Sequence, residues 1–214
     1  MNGPFKQLTV IGASRGIGLE TVELALAKGY RVNALARNFD DAPHSAHLKK
    51  IRGNILHPHD VERSIEKSDT IVVSVGIPPT RKPVSLFSTG INNVLNAMKQ
   101  MKTDPLLIVV AGIGAGHTRG HGGFAYDRVF FPLFLKSIYE DKDRMIKTLK
   151  ESNHRWIVAN PGFLTDGPGI KKYWAFVDLN GVRARKISRA DVADFILKQA
   201  ENPSFLHKEP LLSH

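Results

Sequence analysis

The sequence predicts an α/β fold, a single domain built on a doubly wound parallel sheet, and three observations carry that expectation. Short apolar runs alternate with helical patterns along the chain. A glycine-rich turn, residues 12–18, falls between the first apolar run and the first helical pattern. No linker divides the 214 residues, a length that suits one large domain.

The elements follow in order. Residues 8–11 are apolar and β-branched, then meet glycine, and predict a buried strand. Residues 17–28 carry helical spacing, with Gly29 as a stop. Strands are expected at 31–36, 51–55 and 70–75, with a helix at 61–67 between the last two. Residues 86–101 predict a helix that ends before Asp104-Pro105. The run 106–111 is the most continuously apolar, as the centre of a parallel sheet requires. A glycine-rich loop at 112–123 leads to an aromatic segment at 124–134, a charged helix at 139–151 and a strand at 156–159. Asn180-Gly181, between 173–178 and 182–187, predicts a type I′ hairpin. Ser188, three before Asp191, predicts a capped helix running to Gln199.

Composition narrows the function classes. The chain has no cysteine, which excludes disulfides, thiolate metal sites and cysteine nucleophiles. The first six residues hold no basic region before an apolar core, and the longest apolar run is too short for a membrane span, so a cytoplasmic protein without a membrane partner is expected. The net charge of +10 favours anionic partners, phosphorylated cofactors among them. The charges are scattered with no basic run of five, which reads as a solvated surface rather than a nucleic-acid interface.

The glycine turn has a chemical rationale. Gly12 permits the tight exit from the strand, Gly16 lets backbone N–H groups approach a diphosphate, and Gly18 lets helix and strand pack closely. The helix N-terminus adds unpaired donors and a partial positive charge. In its strand–loop–helix setting the motif makes this a Rossmann-type dinucleotide site. The second strand ends at Arg37, where an NAD-binding unit places a carboxylate for the ribose hydroxyls. Arg15 stands in the loop itself, and two arginines there suit the 2′-phosphate of NADP(H).

Further motifs are Val10-Ile-Gly-Ala-Ser14, Ala34-Leu-Ala-Arg37, Gly53-Asn-Ile-Leu56, Asp143-Arg-Met-Ile-Lys147 and Ile187-Ser-Arg-Ala-Asp191. On them the chain resembles the short-chain dehydrogenase/reductase superfamily, in its atypical, NmrA-like branch with one NAD(P)-binding domain. Within that branch it is similar to the biliverdin reductase-like group of NADPH-dependent flavin reductases. The resemblance covers nearly the whole chain, with substrate-side loops at 76–85, 112–136 and 160–172. It implies that Gly12, Ser14, Arg15, Gly16, Ile17 and Gly18 hold the diphosphate and nearby ribose. It also implies Arg37 on the 2′-phosphate, Asn54 and Ile55 beside adenine, and Val75 and Gly76 under the cofactor. Pro161, Gly162 and Phe163 would line the nicotinamide side. Asn54 stands where the family commonly has aspartate.

The superfamily's Tyr-x-x-x-Lys is absent. Lys142 occupies the lysine place, but Ile138 occupies the tyrosine place. The candidate catalytic residues are therefore Lys142, which would also bind cofactor, the neighbouring Tyr139, and His117 in the glycine loop. Phe124, Tyr126, Phe130, Phe131 and Phe134 could roof a flat substrate, or form core or a dimer face. His57 and His59 around Pro58 read as a solvated turn, and no metal site is expected. The expected function is NADPH-dependent hydride transfer to a small flavin- or tetrapyrrole-like acceptor. The alternative is a non-catalytic NADP(H) sensor of the NmrA-like kind.

Overall fold

The computed structural model describes residues 6–124 and 126–214. In chain order the strands are β1 (Gln7–Ile11), β2 (Arg31–Ala36), β3 (Leu48–Arg52), β4 (Thr70–Val73) and β5 (Leu106–Val110), then β6 (Trp156–Pro161), β7 (Phe163–Thr165), β8 (Trp174–Phe176), β9 (Lys186–Ser188) and β10 (Leu211–Ser213). The α-helices are α1 (Gly16–Ala27), α2 (Pro58–Ile65), α3 (Leu86–Met101), α4 (Lys136–Glu151) and α5 (Arg189–Glu201). A π-helical segment, Tyr126–Leu135, runs directly into α4.

Eight strands form the main sheet in the order β3-β2-β1-β4-β5-β6-β10-β8. All neighbours are parallel except β10 and β8. The order reverses between β1 and β4, a crossing point that opens a crevice at the carboxyl ends of the strands. Each face has its own core. Side chains of α2, α3 and α4 pack with Ile11, Ile71, Leu107 and Val158 on one face. Side chains of α1 and α5 pack with Val10, Val72, Ile108 and Ile157 on the other. The alternation along β1, β4, β5 and β6 thus feeds both cores, which is why β5 is apolar at every position.

Three expectations need correction. The third strand begins at Leu48 rather than Ile51; of its five residues only Ile51 is buried, and the exposed Lys49 and Lys50 of this edge strand mask the signal. The hairpin around Asn180-Gly181 does not form. Val182 N–H does bond Leu179 C=O at 3.0 Å, and Gly181 has φ +70°, but Asn180 is not in the left-handed region that a type I′ turn requires. Instead β8 pairs with β10, and β9 pairs with β7. Leu179 and Ala184 are buried against Ile113 and Leu211, and that burial outweighs the local turn preference. Finally, His57, Pro58 and His59 are exposed as expected but do not form a turn: Pro58 opens α2 at a first-turn position, where its missing N–H costs nothing.

Candidate functional site

A cleft of about 1010 Å³ runs along the carboxyl edge of the sheet. At its first end lie Gly12, Ser14, Arg15, Gly16 and Ile17 from the glycine turn, Arg37 from the end of β2, and Asn54 and Ile55 after β3. Val75 and Gly76 follow β4 at its middle. At the other end are Tyr139 and Lys142 from α4, with Pro161, Gly162 and Phe163 around the end of β6.

Two of the turn's glycines have no room for a side chain. A Cβ on Gly12 would stand 2.3 Å from the Ser74 carbonyl oxygen, and one on Gly18 would stand 2.1 Å from the Gly12 carbonyl oxygen. Gly18 is buried and does not line the cleft; it lets α1 abut the turn out of β1. At Gly76 an added Cβ would meet nothing within 4 Å, so its absence widens the cleft floor. Arg15 and Arg37 are exposed, and among the described residues neither is paired with a carboxylate. Asn54 is held by its own N–H, which donates to Asp60 Oδ2 at 2.9 Å.

The far end is built by α4. Its Asp141 is fully buried and reaches the N-terminus of α3, where it accepts from Phe87 N–H at 2.7 Å and from the Ser88 hydroxyl. Arg144 Nη2 balances the carboxylate at 3.1 Å. This cap from a neighbouring helix fixes the rotation of α4 and with it the next residue, Lys142. Lys142 Nζ donates to the Ala111 carbonyl oxygen and lies 4.6 Å from the Tyr139 ring centroid. Burial pulls its pKa down to about 8. Tyr139 and Tyr126 share a side-chain hydrogen bond, and Tyr126 donates onward to the Ile113 carbonyl oxygen at 3.1 Å. Burial raises both phenols. A Cβ on Gly112 would stand 3.2 Å from the Tyr139 hydroxyl, so glycine is needed where these polar heads converge.

His117 does not join them. It lies off the cleft in a short 3-10 turn, Gly116–Thr118, with Nδ1 3.5 Å from Glu209 Oε2. His121, in the same loop, has its Nδ1 2.8 Å from the Val182 carbonyl oxygen. Of the aromatic segment, Tyr126 lines the cleft, Phe131 is buried against Tyr139, and Phe124 and Phe134 are exposed; the Phe130 side chain lies outside the described residues. Residues that the sequence reading did not assign also line the cleft, notably Ser74, Leu86 and Arg189, and the expected substrate-side loops contribute Ile77, Pro78, Leu164 and Asp166. Among the described residues no group of three or more His, Asp or Glu is placed to hold a metal, and no helix is long and apolar enough to cross a membrane.

Sheet order, glycine cradle and cleft together define a Rossmann-type dinucleotide-binding protein with the architecture of short-chain dehydrogenases/reductases. The family model described as NAD(P)H-binding matches residues 12–203, and the chain belongs to that family. Among solved structures it is similar to a short-chain dehydrogenase/reductase from Veillonella parvula DSM 2008 in complex with NADP, at 15% identity and TM-score 0.81, over 99% of this chain and 95% of that one. It is also similar to ChuY, an anaerobillin reductase from Escherichia coli O157:H7, at 19% identity and TM-score 0.78, over 97% of each chain. The oxidoreductase ylbE from Lactococcus lactis matches at 18% identity and TM-score 0.79, over 97% of this chain and 90% of that one. At these identities the likeness is one of fold.

Proposed function

We propose that the protein is an NADPH-dependent reductase that delivers a hydride to a flat, conjugated acceptor of flavin or tetrapyrrole type. The observation that carries this reading is the state of the two phenols. Tyr126 and Tyr139 are raised by burial, so near neutral pH they can donate a proton but make poor bases. Oxidation of an alcohol needs a base to take the hydroxyl proton. Reduction of a conjugated ring needs a hydride and only a weak proton donor. Bound NADPH supplies the hydride, and the protein supplies orientation and a dry surface. Ile77, Pro78, Leu86, Ile113, Phe163 and Leu164 offer the apolar walls that a flat ring system requires. The NADP and anaerobillin reductase descriptions of the structural neighbours agree with this reading.

In this assignment the residues from Gly12 to Gly18 hold the diphosphate, Arg15 and Arg37 the 2′-phosphate, and Lys142 the ribose on the nicotinamide side. Tyr139 is the proton donor to the acceptor, its hydroxyl turning from Tyr126 to give it. NADPH oxidation with a free flavin or dichlorophenol-indophenol tests the reading. Turnover is expected with these acceptors, and none with simple secondary alcohols and NADP⁺. Tyr139→Phe should slow flavin reduction by less than about ten-fold, since water can replace a weak donor. Robust alcohol oxidation would overturn the assignment. Tight NADPH binding without turnover on any conjugated acceptor would favour the sensor.

A further inference from the structure

Arg189 and Asp166 face each other across the cleft wall. Arg189 is the first residue of α5, directly after the Ser188 cap, and its Nη1 lies 2.6 Å from Asp166 Oδ1. The Asp166 side chain is 93% exposed, so the arginine, not packing, holds it. Asp166 sits in an irregular stretch after β7 beside Gly167, whose φ of +117° gives that stretch freedom to turn. A Cβ on Gly16 would stand 3.6 Å from Arg189 Nε. Gly16 is the middle glycine of the turn that cradles the diphosphate, so the guanidinium is within reach of an anion on that turn. Asp166 places a negative charge at the same spot.

We propose that Arg189 is a third cofactor-binding arginine and that Asp166 is its built-in competitor, so that cofactor binding exchanges the carboxylate for a diphosphate oxygen. The exchange is one ion pair for another, and no bond is made or broken. Its position separates it from the other two arginines. Arg37 and Arg15 stand near the 2′-phosphate, which only NADP(H) carries. Arg189 meets the diphosphate, which NAD(H) carries too. It therefore sets affinity without setting preference. The inference rests on cofactor binding by this family and is independent of the acceptor.

Calorimetric titration of the whole protein with NADPH, and separately with NADH, tests it. Asp166→Ala should tighten both cofactors by roughly two- to five-fold, the worth of an exposed ion pair. Arg189→Ala should weaken both by about ten-fold or more and leave their ratio unchanged. With Arg189 already removed, deleting Asp166 should bring less than about two-fold gain. Arg189→Gln, which keeps the aliphatic stem, serves if the alanine variant folds poorly. Two results would overturn the proposal: weaker or unchanged binding in Asp166→Ala, or an Arg189 variant that loses NADPH but not NADH.

Discussion

Lys142 has a depressed pKa in a protein whose partner is an anion. Burial puts its pKa at about 8 against an ordinary 10.5. For a base lowered on folding, the unfolded chain binds more protons between these values, so this group's contribution to stability is least favourable below pH 8 and rises as pH climbs towards 10.5. Cofactor affinity should run the opposite way, because a charged Lys142 is the better partner for ribose oxygens and nearby phosphate. NADPH affinity is therefore expected to fall above pH 8, by at most about ten-fold per pH unit. Titrations at several pH values, on the wild type and on Lys142→Met, measure this; a wild-type profile as flat as the variant's would show that the ammonium does not meet the cofactor. Lys142 was legible in the sequence only through resemblance. Arg189 was not legible at all, because Ile187-Ser-Arg-Ala-Asp191 reads locally as a helix cap, which it also is: Ser188 Oγ accepts from Asp191 N–H at 3.0 Å. Its reach to Gly16 depends on α5 packing beside α1, and no local pattern encodes that.

Among the elements, α4 owes its place to Asp141, a buried carboxylate that serves the α3 N-terminus. Asp141→Ala would leave Phe87 N–H and the Ser88 groups without their acceptor and Arg144 without its carboxylate. Unsatisfied buried donors cost about 1–3 kcal/mol each, and partial rearrangement keeps the expected total near 2–4 kcal/mol. That corresponds to a fall in Tm of roughly 4–16 °C for a protein of this size. Cofactor binding should suffer too, since Lys142 follows Asp141 on the helix. Thermal unfolding with a loss under about 1 °C would show that α4 is held by its apolar face alone. Among the long elements α3 was legible to the residue, while α1, α4 and α5 were legible to within about three residues at their ends. The short strands β7 to β10, three residues each, were not. A three-residue strand has too few positions to show a period; β10 exists because β6 and β8 offer it two edges. The glycine turn was legible for the converse reason: its requirements, positive φ at Gly12 and Gly16 and no Cβ at Gly18, are local.

At the scale of the whole molecule, the cleft crosses the sheet from β2 to β6 and touches elements of both cores. Anything bound along it ties the two faces together and must be released before the domain unfolds. Stabilisation then follows mass action, about 2.7 kcal/mol at one hundred times Kd, or roughly 5–11 °C in Tm for a chain of this length. The size of the shift should depend on which cofactor is supplied. The chain carries a net charge of +10, which draws a polyanion from a distance, but that field acts on NADH and NADPH alike apart from their difference in charge. In the proposed assignment close discrimination would fall to Arg37 and Arg15, both exposed and unpaired with any described carboxylate. Two such charge-assisted contacts, discounted for solvent, would favour NADPH by about 2–4 kcal/mol. With both cofactors well above their Kd, NADPH should therefore raise Tm by at least about 4 °C more than NADH. Arg37→Ala should remove most of that difference while leaving the NADH shift unchanged, and added salt should shrink it in the wild type, because screening acts on exposed phosphate contacts. Thermal unfolding with each cofactor, at low and at high salt, decides the matter. Equal shifts from NADH and NADPH in the wild type would mean that the arginines at the end of β2 and in the glycine turn are surface charge and nothing more.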